Sequence, residues 1–162
     1  MIVVSDTSPL CNLAIVEHLW LLRELYTTVV IPSVVANELA DASELSIQDI
    51  LNLEWVQVRQ LTNISLAESL QRNQGLDPGE ANAIALAIEL KADDLLIDER
   101  LGRREALQLG LPIIGILGIL VVAKQRGLIQ LVQPVLNALI TQAGFRVSSH
   151  LYSQILRLAG EA

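Results

Sequence analysis

Short apolar segments rich in β-branched residues alternate with longer helical patterns along this chain, and no other feature of the sequence limits its fold as strongly. Four of these segments, residues 2–5, 28–31, 95–97 and 112–114, are almost continuously apolar, which is typical of strands buried on both faces of a sheet. A fifth, residues 55–59, alternates apolar and polar residues. The alternation of strands with helices predicts an α/β protein whose mainly parallel central sheet lies between two layers of helices.

Helix starts are marked by a capping residue followed by proline. Ser8-Pro9 predicts one such start, with Ser8 as the N-cap. Asp77-Pro78 predicts the clearest helix of the sequence, with an apolar stripe within residues 81–88. Further helices are predicted over residues 10–26 in two pieces, 34–39, 47–53, 65–73, 101–107, a segment ending near 124, 134–143 and 149–158.

Length and composition fit one folded domain. The chain has 162 residues, of which 52% are hydrophobic and only 3% aromatic, so aliphatic side chains must fill the core. This excess of aliphatic over charged residues excludes a disordered chain. We therefore expect a single domain over residues 1–162, with C-terminal helices at about 134–159 that dock on the core or on a second subunit.

The sequence predicts a cytoplasmic protein without a membrane segment. The longest apolar run, residues 109–123, is interrupted by glycine and proline and is shorter than the roughly 20 residues of a membrane span. The N-terminus lacks the basic region of a secretory signal. Cys11 is the only cysteine, so no internal disulfide can form, which fits a reducing compartment.

Four carboxylates occupy positions where a functional site is expected. Ligands of open parallel sheets bind outside the carboxyl ends of the strands. Asp6 and Asp98 each follow a predicted buried strand, and Glu38 and Glu80 lie in the helices that begin at Pro32-Ser33 and Asp77-Pro78. The sequence therefore predicts one site that contains all four.

Each of these carboxylates also has a purely structural interpretation. Asp6 and Asp98 could cap helices, although Ser8-Pro9 is the better cap near Asp6. Glu38 alone reads as a solvated helix residue, and Glu80 completes a capping box with Asp77. The four together favour function, because crowded carboxylates repel one another and a hard divalent cation removes that cost.

The alternatives to a carboxylate-bound cation are absent from the sequence. It contains no Cys/His set with zinc-ligand spacing and no glycine-rich phosphate loop with its lysine. The net charge of −7 is a poor match to a nucleic acid. A bound cation or a local basic patch can nevertheless reverse the local field.

Several segments resemble the motifs of the PIN domain, the nuclease domain of VapC-type toxins. "VVSDTSPL" is similar to its first motif, "IPSVVANEL" to the second, and "GLDPGEANAIALA" and "LLIDERLGRREA" to the third and fourth acidic segments. The C-terminal "LGILVVAKQRGLI" and "AGFRVSSHLYSQIL" look like a compact prokaryotic branch of PIN-like proteins. The resemblance covers nearly the whole chain, with the motifs in the family's order.

The resemblance implies a ribonuclease that hydrolyses RNA phosphodiester bonds with one or two Mg²⁺ or Mn²⁺ ions. Asp6, Glu38, Glu80 and Asp98 would be catalytic, with Asp6, Glu80 and Asp98 as metal ligands. It also implies a toxin, a small inhibitory antitoxin partner and a homodimer. Thr7 or Ser8 would assist through a hydroxyl group, and the candidate phosphate contacts are Arg100, Arg103, Arg104, Lys124 and Arg126.

Two departures from the family pattern concern the acidic site. Glu80 stands where many members have aspartate, which shifts the carboxylate. Glu99-Arg100 follows Asp98 in place of a second aspartate. The alternatives are a PIN-like binding module without catalysis and a phosphoryl-transfer domain of the receiver or haloacid-dehalogenase kind. The latter is disfavoured because Gly115 stands where such domains carry a lysine.

Overall fold

A five-stranded, all-parallel sheet forms the centre of the computed structural model, which describes all 162 residues. The strand order is β3-β2-β1-β4-β5, so β1 is the middle strand. Its register pairs Val4 with Val30 on one side and with Leu95 on the other. The predicted α/β class with a parallel sheet is confirmed. The strands are β1 (Ile2–Ser5), β2 (Thr28–Pro32), β3 (Val56–Arg59), β4 (Asp94–Leu96) and β5 (Ile113–Ile114).

Ten α-helices surround this sheet, and their positions follow the predicted helical patterns closely. The segment predicted as one helix over residues 47–53 is a short helix followed by a 3₁₀ turn at Asp49–Asn52. The helices are α1 (Thr7–Ile15), α2 (Trp20–Leu25), α3 (Ser33–Ala40), α4 (Leu45–Gln48), α5 (Ser65–Gln74), α6 (Pro78–Leu90), α7 (Arg100–Gln108), α8 (Ile116–Gln125), α9 (Gln133–Gln142) and α10 (Ser149–Leu158).

Alternate residues of the central strands point into two separate apolar clusters. Val3 belongs to the larger cluster, which includes residues of α1, α2, α8 and α9, whereas Val4 belongs to the smaller one, built with α5, α6 and α7. Both residues are fully buried. Because successive strand residues face opposite sides of a sheet, a continuously apolar strand needs helices on both faces. The result is the three-layer α/β/α arrangement.

The first helix begins earlier than its sequence predicts. The N-cap position of α1 is held by Asp6 and not by Ser8, and the Asp6 side chain makes no capping hydrogen bond. The Asp6 backbone N–H instead donates to the Leu96 carbonyl of β4 at 3.1 Å. Asp6 is therefore the first residue after β1, its backbone is held by β4, and helix α1 starts directly after it. Its carboxylate caps no helix.

The C-terminal helices pack on the same chain: α9 contacts α1, and α10 contacts α8. Glu161 fastens this end of the fold. Its Oε2 accepts hydrogen bonds from the Val132 N–H at 2.7 Å and from Lys124 Nζ at 3.0 Å, and its Oε1 accepts from the Gln133 N–H at 3.0 Å. The two backbone donors are at the N-terminus of α9, where unpaired N–H groups attract a carboxylate.

No helix in the structure is both long enough and apolar enough to span a membrane.

Candidate active site

The site is built where the strand order changes direction. From β1 the chain proceeds to β2 and β3 on one side of the sheet, whereas β4 and β5 lie on the other side. Such a switch point leaves a crevice outside the carboxyl ends of the two strands that flank it. Asp6 follows β1 and Asp98 lies two residues beyond β4, so both stand at this crevice.

Five carboxylates surround one cavity of about 340 Å³ at this point, which we call the acidic cavity. Three of them, Asp6, Glu38 and Glu80, are sequence-predicted site residues. The other two are Asp77 and Glu99. No lysine or arginine contributes to its wall, and the remaining lining residues are Thr7, Ser8, Cys11 and Asn12.

Gly79, the second residue of α6, allows two of these carboxylates to approach the helix. A β-carbon on Gly79 would lie 2.6 Å from Glu38 Oε1 and 3.0 Å from Asp6 Oδ1. Both distances are too short for an ordinary contact, so the absence of a side chain leaves room for the two oxygens. The carboxylates of Asp6, which directly follows β1, and of Glu38, which lies in α3, therefore converge on the N-terminal turn of α6.

Glu80 serves as a helix cap and as a wall of the acidic cavity. Asp77 Oδ1 accepts a hydrogen bond from the Glu80 N–H at 2.8 Å, and Glu80 Oε2 accepts a longer one from the Asp77 N–H at 3.4 Å. The capping box expected from the sequence is thus present. It also explains why Asp77 faces the cavity, because a capping box holds both of its side chains at the same end of the helix.

Burial and mutual repulsion raise the pKa values of the carboxyl groups in this cavity. Burial is the main cause for Asp6, whose pKa rises to about 7, and the charges of Asp77, Glu80 and Glu38 add to it. The pKa of Glu80 also rises to about 7, through burial first and then through Asp77. The pKa of Glu38 is raised too, mainly by partial burial. The cavity thus resists carrying the full negative charge of its carboxylates.

Thr7 and Cys11 also contribute polar groups to the wall of the acidic cavity. The Thr7 hydroxyl is buried without a well-formed hydrogen bond, although it lies close enough to Glu38 to oppose the rise in that residue's pKa. Burial and the charges of Glu44 and Glu38 raise the pKa of the Cys11 thiol to about 11. The thiol is therefore neutral at physiological pH and is a poor nucleophile and metal ligand.

Asp98 lies beside the acidic cavity and not in its wall. It lines a neighbouring cavity of about 740 Å³, which we call the large cavity. Its Oδ1 accepts a hydrogen bond from the Ile116 N–H at 3.0 Å, and its Oδ2 is buried without a partner. Burial raises the pKa of Asp98, while the Ile116 N–H and Arg103 oppose the rise. Ser8, Asn12 and Glu99 line both cavities, so the two adjoin.

The three candidate phosphate contacts of α7 differ in their surroundings. Arg103 lines the large cavity, and its Nη1 donates to the Ile97 carbonyl at 2.8 Å. Arg104 is exposed and pairs with Glu105 at 3.2 Å. Arg100 is exposed at the first position of the helix. Of the three, only Arg103 lines the large cavity, which adjoins the acidic cavity.

Asp77 and Glu99 are the carboxylates of the cavity that the sequence did not predict as site residues. Asp77 is recognisable from sequence only as a cap, and Glu99 only as a departure from the family motif. The signal that could have found Asp77 is the capping box itself, since it brings Asp77 and Glu80 to one helix end. Glu99 sits at the N-cap position of α7, where no pattern specifies the direction of its side chain.

The residues of the acidic cavity suit a hard divalent cation that keeps part of its water shell. No three acidic, histidine or cysteine side chains converge as a complete ligand set. Mg²⁺ is, however, commonly held by one or two carboxylates, with waters and substrate phosphates as the other ligands. The convergence of Asp6 Oδ1 and Glu38 Oε1 over Gly79 offers such a pair. Their raised pKa values indicate a cost that a bound cation would remove.

The family model described as "DUF3368: PIN domain" matches residues 2–161. No curated protein and no solved structure matches the chain.

Proposed function

This chain belongs to the PIN-domain family, whose fold is of the nuclease type, and from this premise we propose that it is a metal-dependent ribonuclease that hydrolyses RNA phosphodiester bonds. The observation that carries the proposal is the acidic cavity. Five carboxylates face it at the switch point of the sheet, and no cationic side chain neutralises them. Asp6 is the member that a purely structural role does not account for, because it is buried and makes no capping hydrogen bond, and a buried carboxylate without a partner destabilises a fold.

Asp6 and Glu38 would hold the Mg²⁺ or Mn²⁺ ion, with Glu80 completing the carboxylate set directly or through water. When bound, such an ion lowers the pKa of a coordinated water and neutralises charge on the phosphate. Asp98 lines the adjoining large cavity, so it would bind an ion only from the side of that cavity. One or two ions are compatible with this proposal.

The protein's own groups would orient the reactants. The unpartnered Thr7 hydroxyl can donate a hydrogen bond to a phosphate oxygen or to the attacking water, with Ser8 beside it in the wall. Glu80 is held in place through the Asp77 N–H and can accept a hydrogen bond from the same water. Positioning of this kind reduces the entropic part of the barrier.

A fluorogenic single-stranded RNA tests the proposal. We expect cleavage with Mg²⁺ or Mn²⁺, none with EDTA, and a loss of about 100-fold or more in Asp6→Asn, since metal-bound charge stabilisation contributes several kcal/mol. Glu54→Gln is the control, because Glu54 is an exposed acid outside the cavity. Full activity of a folded Asp6→Asn protein would refute the assignment of Asp6. Absence of cleavage under all metal conditions would favour the alternative of a binding module.

We further propose that the protein acts as the toxin of a toxin–antitoxin pair, that a small protein inhibits it and that it forms a homodimer. These proposals depend on the family resemblance. Arrest of bacterial growth on induced expression, relieved by Asp6→Asn, would support the toxin role, whereas unimpaired growth with active enzyme would contradict it. Light scattering of the purified protein gives its oligomeric state.

A further inference from the structure

The large cavity combines an apolar wall with two arginine side chains that form no ion pair, and the carboxylates of Asp98 and Glu99 also line it. Leu117, Phe145 and Ile155 belong to the apolar wall, whereas Arg103 and Arg146 lie on the polar side. Arg103 lies near enough to Asp98 to oppose the rise in that residue's pKa, whereas Arg146 forms no ion pair. In a chain with net charge −7, an unpaired guanidinium group at a cavity indicates an anionic ligand. The ion pairs that the chain does form use Arg23, Arg104 and Lys124 instead.

A ligand in the large cavity would reach the acidic cavity along one face of α1. Ser8 and Asn12, four residues apart, lie on the same side of that helix and line both cavities. Glu99 also belongs to both walls. The two cavities are therefore adjacent parts of one crevice, with the apolar and arginine-bearing part next to the carboxylates.

From this arrangement we propose that the large cavity binds one unpaired nucleotide of the RNA, next to the bond that is cleaved. The inference rests on the proposed ribonuclease function and names the part of the substrate that the protein grips. A volume of about 740 Å³ lies within the roughly 300–1,000 Å³ of small-ligand sites. The base packs against Phe145, and Arg146 and Arg103 contact its phosphate.

The backbone holds Phe145 in place before any ligand binds. Gly144 ends α9 in the left-handed region with φ +68°, a conformation that favours glycine. The Phe145 N–H then donates to the Leu139 carbonyl at 3.0 Å. An aromatic ring on a fixed turn offers a stacking surface at low entropic cost. A base already stacked in a double helix cannot use this surface, so the site selects single strands.

Binding can be measured without cleavage by using the Asp6→Asn protein and a fluorescein-labelled single-stranded RNA in fluorescence anisotropy. We expect Phe145→Ala to weaken RNA binding about tenfold, because a stacked base is lost. Arg146→Gln should weaken it several-fold and reduce its salt dependence. Arg157→Gln is the matched control, since Arg157 is exposed on the neighbouring helix α10 and does not line the cavity. Duplex RNA of the same sequence should bind at least tenfold more weakly.

Phe145→Leu separates stacking from folding, since leucine keeps an apolar group at this position while losing the aromatic face. Weaker RNA binding with unchanged thermal unfolding supports the proposal. RNA affinity that is unaffected by Phe145→Leu and Arg146→Gln would overturn it. The proposal would also be overturned if the Asp6→Asn protein bound no RNA, if it bound duplex and single-stranded RNA equally well, or if the cavity bound only a peptide.

The nuclease proposal fails separately. RNA binding that is weakened by the Phe145 and Arg146 variants, together with no cleavage by the wild-type protein, would support the nucleotide site and contradict the proposed nuclease function. Metal-dependent RNA cleavage that is unchanged by substitution of Phe145 and Arg146 would support the nuclease function and contradict the nucleotide site.

Discussion

Asp6 Oδ1 and Glu38 Oε1 approach the same point above Gly79, at 3.0 and 2.6 Å from where a β-carbon would stand. Asp6 directly follows β1, whereas Glu38 lies in the helix after β2, so neighbouring parallel strands deliver the two oxygens to one helix terminus. The missing side chain at residue 79 is as necessary for this meeting as the carboxylates are. Substitution at this glycine is therefore the most direct test of the geometry.

Gly79→Ala should impair function while leaving the fold intact. The added methyl group displaces the ends of two flexible side chains, and alanine favours a helix over glycine by roughly 0.5–1 kcal/mol. We expect at least a tenfold loss of metal-dependent cleavage, with a melting temperature equal to or above that of the wild type. Unchanged cleavage would show that the two oxygens do not act together.

The metal-free protein should lose stability as the pH rises from about 4 to about 7. The pKa of Asp6 is about 7 in the fold and 3.8 ordinarily. The folded protein therefore keeps a proton that the unfolded chain releases, and the free energy of unfolding falls across this interval.

A pKa difference of one unit corresponds to about 1.4 kcal/mol, and the openness of the cavity and the coupling of Asp6 to Glu80 make the effect smaller. We therefore expect the free energy of unfolding to decrease by an amount on the order of 2 kcal/mol. Asp6→Asn should make this decrease smaller in urea unfolding, and the raised pKa of Glu80 accounts for the part that remains. An identical slope in the variant would contradict the prediction.

Mg²⁺ or Mn²⁺ should raise the melting temperature, and more so at about pH 8 than at about pH 6, because protons compete with the ion for the carboxylates. Metal ion at 100 times its dissociation constant stabilises the folded protein by about 2.7 kcal/mol, which raises the melting temperature of a chain of this size by several degrees. Differential scanning fluorimetry measures the shift. Glu54→Gln should respond like the wild type and Asp6→Asn should not; the same shift in both would place the metal elsewhere.

Glu161→Gln should destabilise the fold by roughly 1–3 kcal/mol, because charge-assisted hydrogen bonds to Val132, Gln133 and Lys124 become weaker. Burial works against ionisation of Glu161, but these donors outweigh it and hold its pKa below the usual range.

Urea unfolding of this variant also tests our proposal that residues 1–162 form one domain. One cooperative transition, shifted to lower urea, is expected. Two transitions, with only one of them shifted, would instead separate the C-terminal helices from the rest.

Local sequence patterns predicted the strands and most helices because each is set by a short run of residues. The position of the α1 cap is different. Ser8-Pro9 is a good local start signal, but the bond from the Asp6 N–H to Leu96 joins residues far apart in the chain and moves the start to Thr7.

Asp98 shows the same limit within the site. Its place after β4 was predictable, but the direction of its carboxylate is set by Ile116, which lies 18 positions along the chain. The grouping of Asp6, Glu38 and Glu80 was predictable because strand order alone brings their segments together. The inclusion of Glu99 depends on a side-chain direction that no spacing encodes.

The backbone of Asp6 is held in place by the hydrogen bond from its N–H to the Leu96 carbonyl, and its side chain makes no capping hydrogen bond. Chemistry and architecture are therefore separable at this position. A single base change in the Asp6 codon, giving asparagine, would remove the charge and preserve the shape. Under the proposed function, one mutational step would therefore convert a nuclease into an inactive protein with the same backbone fold.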